Sequence, residues 1–164
     1  MRILEHDELN RRGWIKSAGF LLAGALGVTL LGERAAAASS LIAITVHKDP
    51  SCGCCVKWVK HLSANGFAPV VRDRTDMDSF KDSLSIPPSL RSCHTAIAGK
   101  LMFEGHVPAS DIKRLLTTTP KGTVGLAVPG MPSGSPGMEN GRSDRYDVIA
   151  FRADGTTRVF SSHA

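Results

Sequence analysis

Apolar and polar positions change period several times along the chain, and each change marks an element. Leu41-Ile42-Ala43-Ile44-Thr45-Val46 is a continuous, partly β-branched run of the kind that forms a buried strand, and His47-Lys48-Asp49-Pro50-Ser51 ends it. After Cys52-Gly53-Cys54-Cys55, the apolar residues Val56, Val59 and Leu62 recur at helical spacing as far as Asn65-Gly66, a C-terminal cap signal. Phe67 to Arg72 reads as a second strand, and Met77 to Leu84 as a weaker helix. His94 to Ala98 and Leu101 to Glu104 form two extended segments joined by Gly99-Lys100, a turn suited to a hairpin. Val107-Pro108-Ala109-Ser110-Asp111 then opens a helix through Leu115-Leu116, with Pro108 near its first turn. A Gly/Pro/Met loop from Gly125 to Gly141 follows, and the segments Tyr146 to Phe151 and Thr156 to Phe160 flank Asp154-Gly155 as a last hairpin.

The resulting order, β-α-β-α-β-β-α, predicts an α/β protein with a thioredoxin-like domain, extended at its C-terminus by the Gly/Pro/Met loop and a β-hairpin. No internal repeat or domain linker interrupts residues 39–164. Residues 1–38 have a different character. Asn10-Arg11-Arg12-Gly13-Trp14-Ile15-Lys16 precedes an apolar run from Ser17 to Gly32, and Ala35 to Ala38 supply small residues for cleavage. This is the layout of a twin-arginine signal peptide. The alternative, a permanent anchor, is disfavoured because the run is rich in Gly and Ala and shorter than the roughly 20 apolar residues a spanning helix needs. The expectation is therefore an exported periplasmic domain with no membrane association after cleavage, in a compartment where disulfides persist.

Composition narrows the functional class. With 42% hydrophobic and 21% charged residues, disorder and a multi-span membrane protein are both excluded. The net charge of +5 falls to +4 once residues 1–38 are removed, and its basic residues are scattered. Aromatic residues make up only 5%, so a nucleic-acid platform of basic and stacking side chains is not expected. Four cysteines, six histidines and five methionines are more telling, because these are soft and borderline metal ligands.

Three of the cysteines fall within Cys52-Gly53-Cys54-Cys55, at a strand-to-helix turn. A helix N-terminus favours thiolate there, the form that serves both as redox nucleophile and as metal ligand. Cys52 and Cys55 alone have the spacing of a disulfide-exchange pair. A third thiol between them would compete for the mixed disulfide, and three thiols in four residues suit a metal better. Cys93, in Arg91-Ser92-Cys93-His94-Thr95, begins the proposed hairpin strand, which in this fold lies beside the cysteine-bearing helix end. Two structural disulfides and a four-sulfur zinc site are the competing readings; adjacent Cys54 and Cys55 are poorly placed for two bridges, and zinc usually takes its thiolates as two separated pairs.

His106, in Glu104-Gly105-His106-Val107-Pro108, is expected at the same end of the sheet and is a candidate ligand. His94 follows Cys93 directly and by strand alternation would point to the opposite face; His61 is expected in solvent, and His163 is terminal. Met131 and Met138 lie in a loop with no helix face or strand alternation to bury them. Their thioethers prefer copper(I) to zinc, which tilts the metal toward copper. Met77 and Met102 read as core or surface residues, and Trp58 as packing the cysteine helix on the sheet.

Cys52-Gly53-Cys54-Cys55-x-x-Trp58, Ser92-Cys93-His94-Thr95-Ala96, Glu104-Gly105-His106-Val107-Pro108 and the stretch from Gly130 to Glu139 together resemble the CopG-like periplasmic copper-resistance proteins. The resemblance spans nearly all of residues 39–164. It implies a thioredoxin-like domain whose cysteines, here Cys52, Cys54, Cys55 and Cys93, bridge a multinuclear copper(I) cluster, with His106 and Met131 or Met138 as further ligands. It also implies copper ions and other periplasmic copper-handling proteins as partners, and a role in cycling copper between its oxidation states. The alternative function is a thiol-disulfide oxidoreductase with Cys52 as nucleophile and Cys55 as resolving thiol; a zinc-stabilised adaptor is a third reading.

Overall fold

The structure, a computed structural model, describes residues 40–164; the export segment expected at 1–38 lies outside them. The described chain runs β1 (Ile42–Lys48), α1 (Gly53–Ala64), β2 (Phe67–Asp73), α2 (Met77–Ser83), β3 (His94–Ala98), β4 (Leu101–Glu104), α3 (Ala109–Thr118), β5 (Thr123–Ala127), β6 (Tyr146–Arg152) and β7 (Thr157–His163). A 3-10 turn at Pro88–Leu90 leads into β3. The seven strands form one sheet in the order β2-β1-β3-β4-β5-β6-β7. β1 is parallel to β2 and antiparallel to β3, β3 is antiparallel to β4, and β4 is parallel to β5. The order expected from the hydrophobic pattern is present as far as α3.

The departure comes next. Thr123–Ala127 is a strand, not the start of a loop, and it joins the C-terminal hairpin to the rest of the sheet. Gly125 reads as a loop residue in sequence but is a packing requirement in the fold. A Cβ there would lie 2.2 Å from the Met102 carbonyl oxygen and 2.7 Å from Phe151 Cζ. Strand β7 also runs further than its expected end at Phe160, to His163, where the imidazole meets Asp111 of α3 at 2.7 Å.

Trp58 and Leu62 of α1 and Ile112 and Leu115 of α3 are fully buried in the main core with Val46 and Phe103 of the sheet. Each such side chain stabilises the fold by about 1.5–3 kcal/mol relative to exposure. Trp58 is also held in orientation, since its indole N–H donates to the Val107 carbonyl at 2.9 Å. α1 ends as its sequence signals: the Asn65 N–H returns to the Leu62 carbonyl, and Gly66 takes a φ of +81°. His61 does not stand free in solvent as expected. Its Nε2 accepts the Ala109 N–H at 3.1 Å, satisfying a donor at the start of α3, where Pro108 offers no side-chain cap. Among the described residues no helix is long and apolar enough to cross a membrane.

Candidate metal centre

The end of β1, the start of α1, the start of β3 and the end of β4 meet at one end of the sheet, and the four cysteines meet with them. Cys52 is the N-cap of α1, its sulfur accepting the Cys55 N–H at 3.3 Å, which puts Cys54 and Cys55 in the first turn. Cys54 Sγ lies 3.5 Å from Cys52 Sγ and 3.9 Å from Cys93 Sγ. All four sulfurs fall within 4.8 Å of one another. Cys52 and Cys55 are joined as a disulfide, whereas Cys54 and Cys93 are free. The outer pair of the Cys-x-Cys-Cys motif is thus an oxidised pair with a third sulfur at its side, and the two bridges of a purely structural reading are not formed. Burial, followed by the neighbouring Cys54 sulfur, pushes the Cys93 thiol up to about 12.

Two imidazoles adjoin Cys93. His106 is buried, with Nε2 3.1 Å from Cys93 Sγ and Nδ1 2.7 Å from the Pro136 carbonyl oxygen. A carbonyl can only accept, so Nδ1 carries the proton and Nε2 turns its lone pair toward the sulfur. That is the tautomer a metal ligand needs, fixed by an outer hydrogen bond. His94 also turns toward the cysteine, contrary to the alternation argument: its Nδ1 is 3.2 Å from Cys93 Sγ. The reason is local, because β3 begins at His94 and Cys93 lies outside the pleat. The His94 ring packs 4.3 Å from Trp58 and edge-on to His106 at 5.1 Å, and its buried Nε2 has no hydrogen-bond partner. Burial holds both imidazoles below the ordinary histidine value, His94 well below it. Cys93, His94 and His106 form a second donor set within the same 4.8 Å limit.

The Gly/Pro/Met loop closes over α1. Gly137, at φ +87°, is so near the first turn that a Cβ would lie 2.9 Å from the Cys54 carbonyl oxygen and from the Trp58 nitrogen. Glu139 accepts the Gly137 N–H with its carboxylate at 2.9 Å. Met138, between these two residues, is half-buried, while Met131 lies 54% exposed on the outer part of the loop.

Two lysines brace the site, Lys48 in the turn that ends β1 and Lys81, which no motif in the sequence singles out. Lys48, buried at the end of β1, donates to the Asp49 and Pro50 carbonyls and pairs with Asp73 at 2.9 Å, bracing the turn before Cys52. Lys81 of α2 is buried against Glu104. The only sequence signal for either was a charge at the end of an apolar strand, Lys48 on β1 and Glu104 on β4.

The donors suit a soft cation. Donor sets made of thiolate and imidazole without a carboxylate select copper(I) or zinc over calcium or magnesium. The same first turn of α1 could also support disulfide exchange, for which Cys52 and Cys55 already have the oxidised form.

Residues 90–138 match a family described as "Protein of unknown function, DUF411". No curated protein matches the chain. Two solved structures do. One, titled "Copper resistance protein copG- Form 2", is 46% identical with a TM-score of 0.72, over 76% of this chain and 99% of that one. The other, "Copper resistance protein copG- Form 1", is 46% identical with a TM-score of 0.71, over 75% of this chain and 98% of that one.

Proposed function

Since the chain belongs to the family of CopG copper resistance proteins, we propose that it binds copper(I) through Cys52, Cys54, Cys55 and Cys93 in a thiolate-bridged, multinuclear cluster. The observation that carries this reading is the convergence of the four sulfurs within 4.8 Å. Bridging follows from charge. Four thiolates around one copper(I) would leave three negative charges in a partly buried site, and sharing the sulfurs among several ions removes most of them. His106 Nε2 is pre-oriented as a further ligand, and Met138, beside the close-packed Gly137, is the better placed of the two loop methionines.

Use of all four sulfurs requires the Cys52–Cys55 disulfide to take up two electrons and two protons from a thiol reductant, giving two thiols. Each thiol then gives up its proton on binding metal. We read β1 to α3 as a thioredoxin-like core and residues 1–38 as a twin-arginine signal that delivers residues 39–164 to the periplasm. There the protein would hold copper(I), pass it to other copper-handling proteins, or cycle it with copper(II).

One observation favours a second reading. The Cys52–Cys55 disulfide at a helix N-terminus is the resting form of a thiol-disulfide oxidoreductase. Anaerobic titration of the reduced chain with copper(I), zinc present as competitor, separates the two. Binding of more than one copper per chain that zinc does not displace is expected. Failure to retain copper, together with reduction of a model disulfide that survives loss of His106, would replace the copper reading with the oxidoreductase.

A further inference from the structure

The only fully buried residue of α2 is a lysine. Lys81 is 2% exposed and Glu104, its partner on β4, is 0% exposed. A buried ion pair on a short surface helix contributes little net stability, because desolvation of both charges consumes the attraction between them. What the pair holds is therefore more informative than the pair itself.

It holds Ser92 and, through it, Cys93. Glu104 Oε1 accepts the Ser92 N–H at 2.7 Å, and the Lys81 ammonium donates to the Ser92 carbonyl. Both backbone groups of the residue before Cys93 are thus bound by the two members of one ion pair. Glu104 Oε2 accepts the Thr95 hydroxyl at 2.6 Å, so a single carboxylate spans Cys93-His94 and grips the residue on each side. The Ser92 hydroxyl donates to the Gly130 carbonyl, and Ser92 Cβ fills the space where Gly105, at φ +71°, lacks a side chain. Three elements, α2, β4 and the loop after β5, thereby converge on one residue that carries no chemistry of its own. Its neighbour carries the sulfur that α1 does not supply.

We infer that the Lys81–Glu104 pair is a positioning device for the cluster: it fixes the Ser92-to-Thr95 segment so that Cys93 Sγ stands opposite Cys54 and against His106. The inference rests on the copper reading for its purpose, but the positioning itself is measurable without copper. Lys81 and Glu104 touch no sulfur directly and act through the backbone they hold.

The test uses the full chain with Cys52→Ser and Cys55→Ser, leaving Cys54 and Cys93 as the only thiols. Diamide, a diazene oxidant, takes the two thiol hydrogens and joins these sulfurs as a disulfide, whose rate of formation mass spectrometry follows. Into this background go Lys81→Met with Glu104→Leu, an uncharged pair of similar volume, and Lys81→Met with Glu104→Gln, which restores an acceptor for the Ser92 N–H. The expected result is a Met/Leu variant that still unfolds cooperatively but joins Cys54 to Cys93 at least about tenfold more slowly, as a displaced reacting group does. The Met/Gln variant should recover much of the rate, and both should fall in that order in copper(I) bound when the parent cysteines are restored. A folded Met/Leu variant with an unchanged cross-linking rate overturns the inference. Slowed cross-linking with undiminished copper uptake would support the positioning and count instead against a four-sulfur copper site. If the variant with Lys81→Met and Glu104→Leu does not fold, the one with Lys81→Met and Glu104→Gln decides: a rate below the parent's supports the inference, and a rate equal to the parent's overturns it.

Discussion

The Nδ1–H of His106 donates to the carbonyl oxygen of Pro136 at 2.7 Å, and this one bond ties the Gly/Pro/Met loop to the imidazole that faces Cys93. Replacement of His106 by Ala removes the donor, the ring and the Nε2 lone pair together. The variant should lose about 2–3 kcal/mol of stability in urea titration, from the orphaned carbonyl and the lost packing. Its copper(I) affinity in chelator competition should fall as well; parental affinity would exclude His106 as a ligand.

Gly137→Ala tests a second attachment of the loop, its close approach to α1. The new methyl would meet the Cys54 carbonyl and the Trp58 nitrogen at 2.9 Å, in a backbone conformation that disfavours any side chain. The cost should exceed about 1 kcal/mol. Because α1 cannot yield without moving the cysteines, the loop should lift instead, making residues 130–140 sensitive to proteolysis while the melting transition stays cooperative. A loop as resistant as the parent's would show that the site tolerates the group.

Acid should destabilise the fold before any exposed carboxylate titrates. His47, His61, His94 and His106 all sit below the ordinary value of 6.5, and burial is the first cause in each. As pH drops through that value the unfolded chain binds protons that the folded chain refuses, so the stability is complete above it and is lost progressively below it. Glu104, pushed upward by burial, works in the opposite sense but is one group against four. The urea midpoint should therefore decline between about pH 7.5 and about pH 5. A flat profile would mean that these imidazoles take up protons as readily in the fold as in the unfolded chain.

Cys52→Ser should separate the disulfide from the helix cap. Serine is itself a favoured N-cap and keeps an acceptor for the Cys55 N–H. The variant should lose only the stability of closing a short loop, about 2 kcal/mol, and should match the chemically reduced parent. Its copper stoichiometry should fall; an unchanged stoichiometry would remove Cys52 from the site.

Copper(I) uptake should also strengthen as pH rises. With its thiol pushed up to about 12, Cys93 is protonated at neutral pH and must release that proton to become a thiolate ligand. Affinity measured against a chelator of known pH dependence should rise steadily through the neutral range. A pH-independent affinity would mean that no thiol of the site, Cys93 included, gives up a proton to bind metal.

Much of the scaffold was legible because its elements are local. The cysteine turn, the α1 cap at Asn65-Gly66 and the Gly99-Lys100 hairpin each announce themselves within a few residues. Strand β5 did not, because Gly125 looks like loop punctuation until the Met102 carbonyl and the Phe151 ring are seen on either side of it. His94 was placed on the wrong face because alternation was counted from Cys93, one residue before the strand begins. The ion pairs of Lys48 with Asp73 and of Lys81 with Glu104 join residues 25 and 23 positions apart, and spacing alone carries no trace of them.

The four sulfurs are not equally reachable. Cys55 is fully buried, while Cys52, Cys54 and Cys93 keep part of their surface in solvent. The site consequently has a front and a back. Whatever is too large to enter trades only with the front sulfurs, and the back one receives what they hand inward. In the reduced chain an alkylating reagent at neutral pH should count Cys52 and Cys54 first, Cys93 more slowly because its thiol is held protonated, and Cys55 last because it is buried. A cargo settled against Cys55 is the last that a competitor can strip away, so retention is built into depth rather than into any single bond.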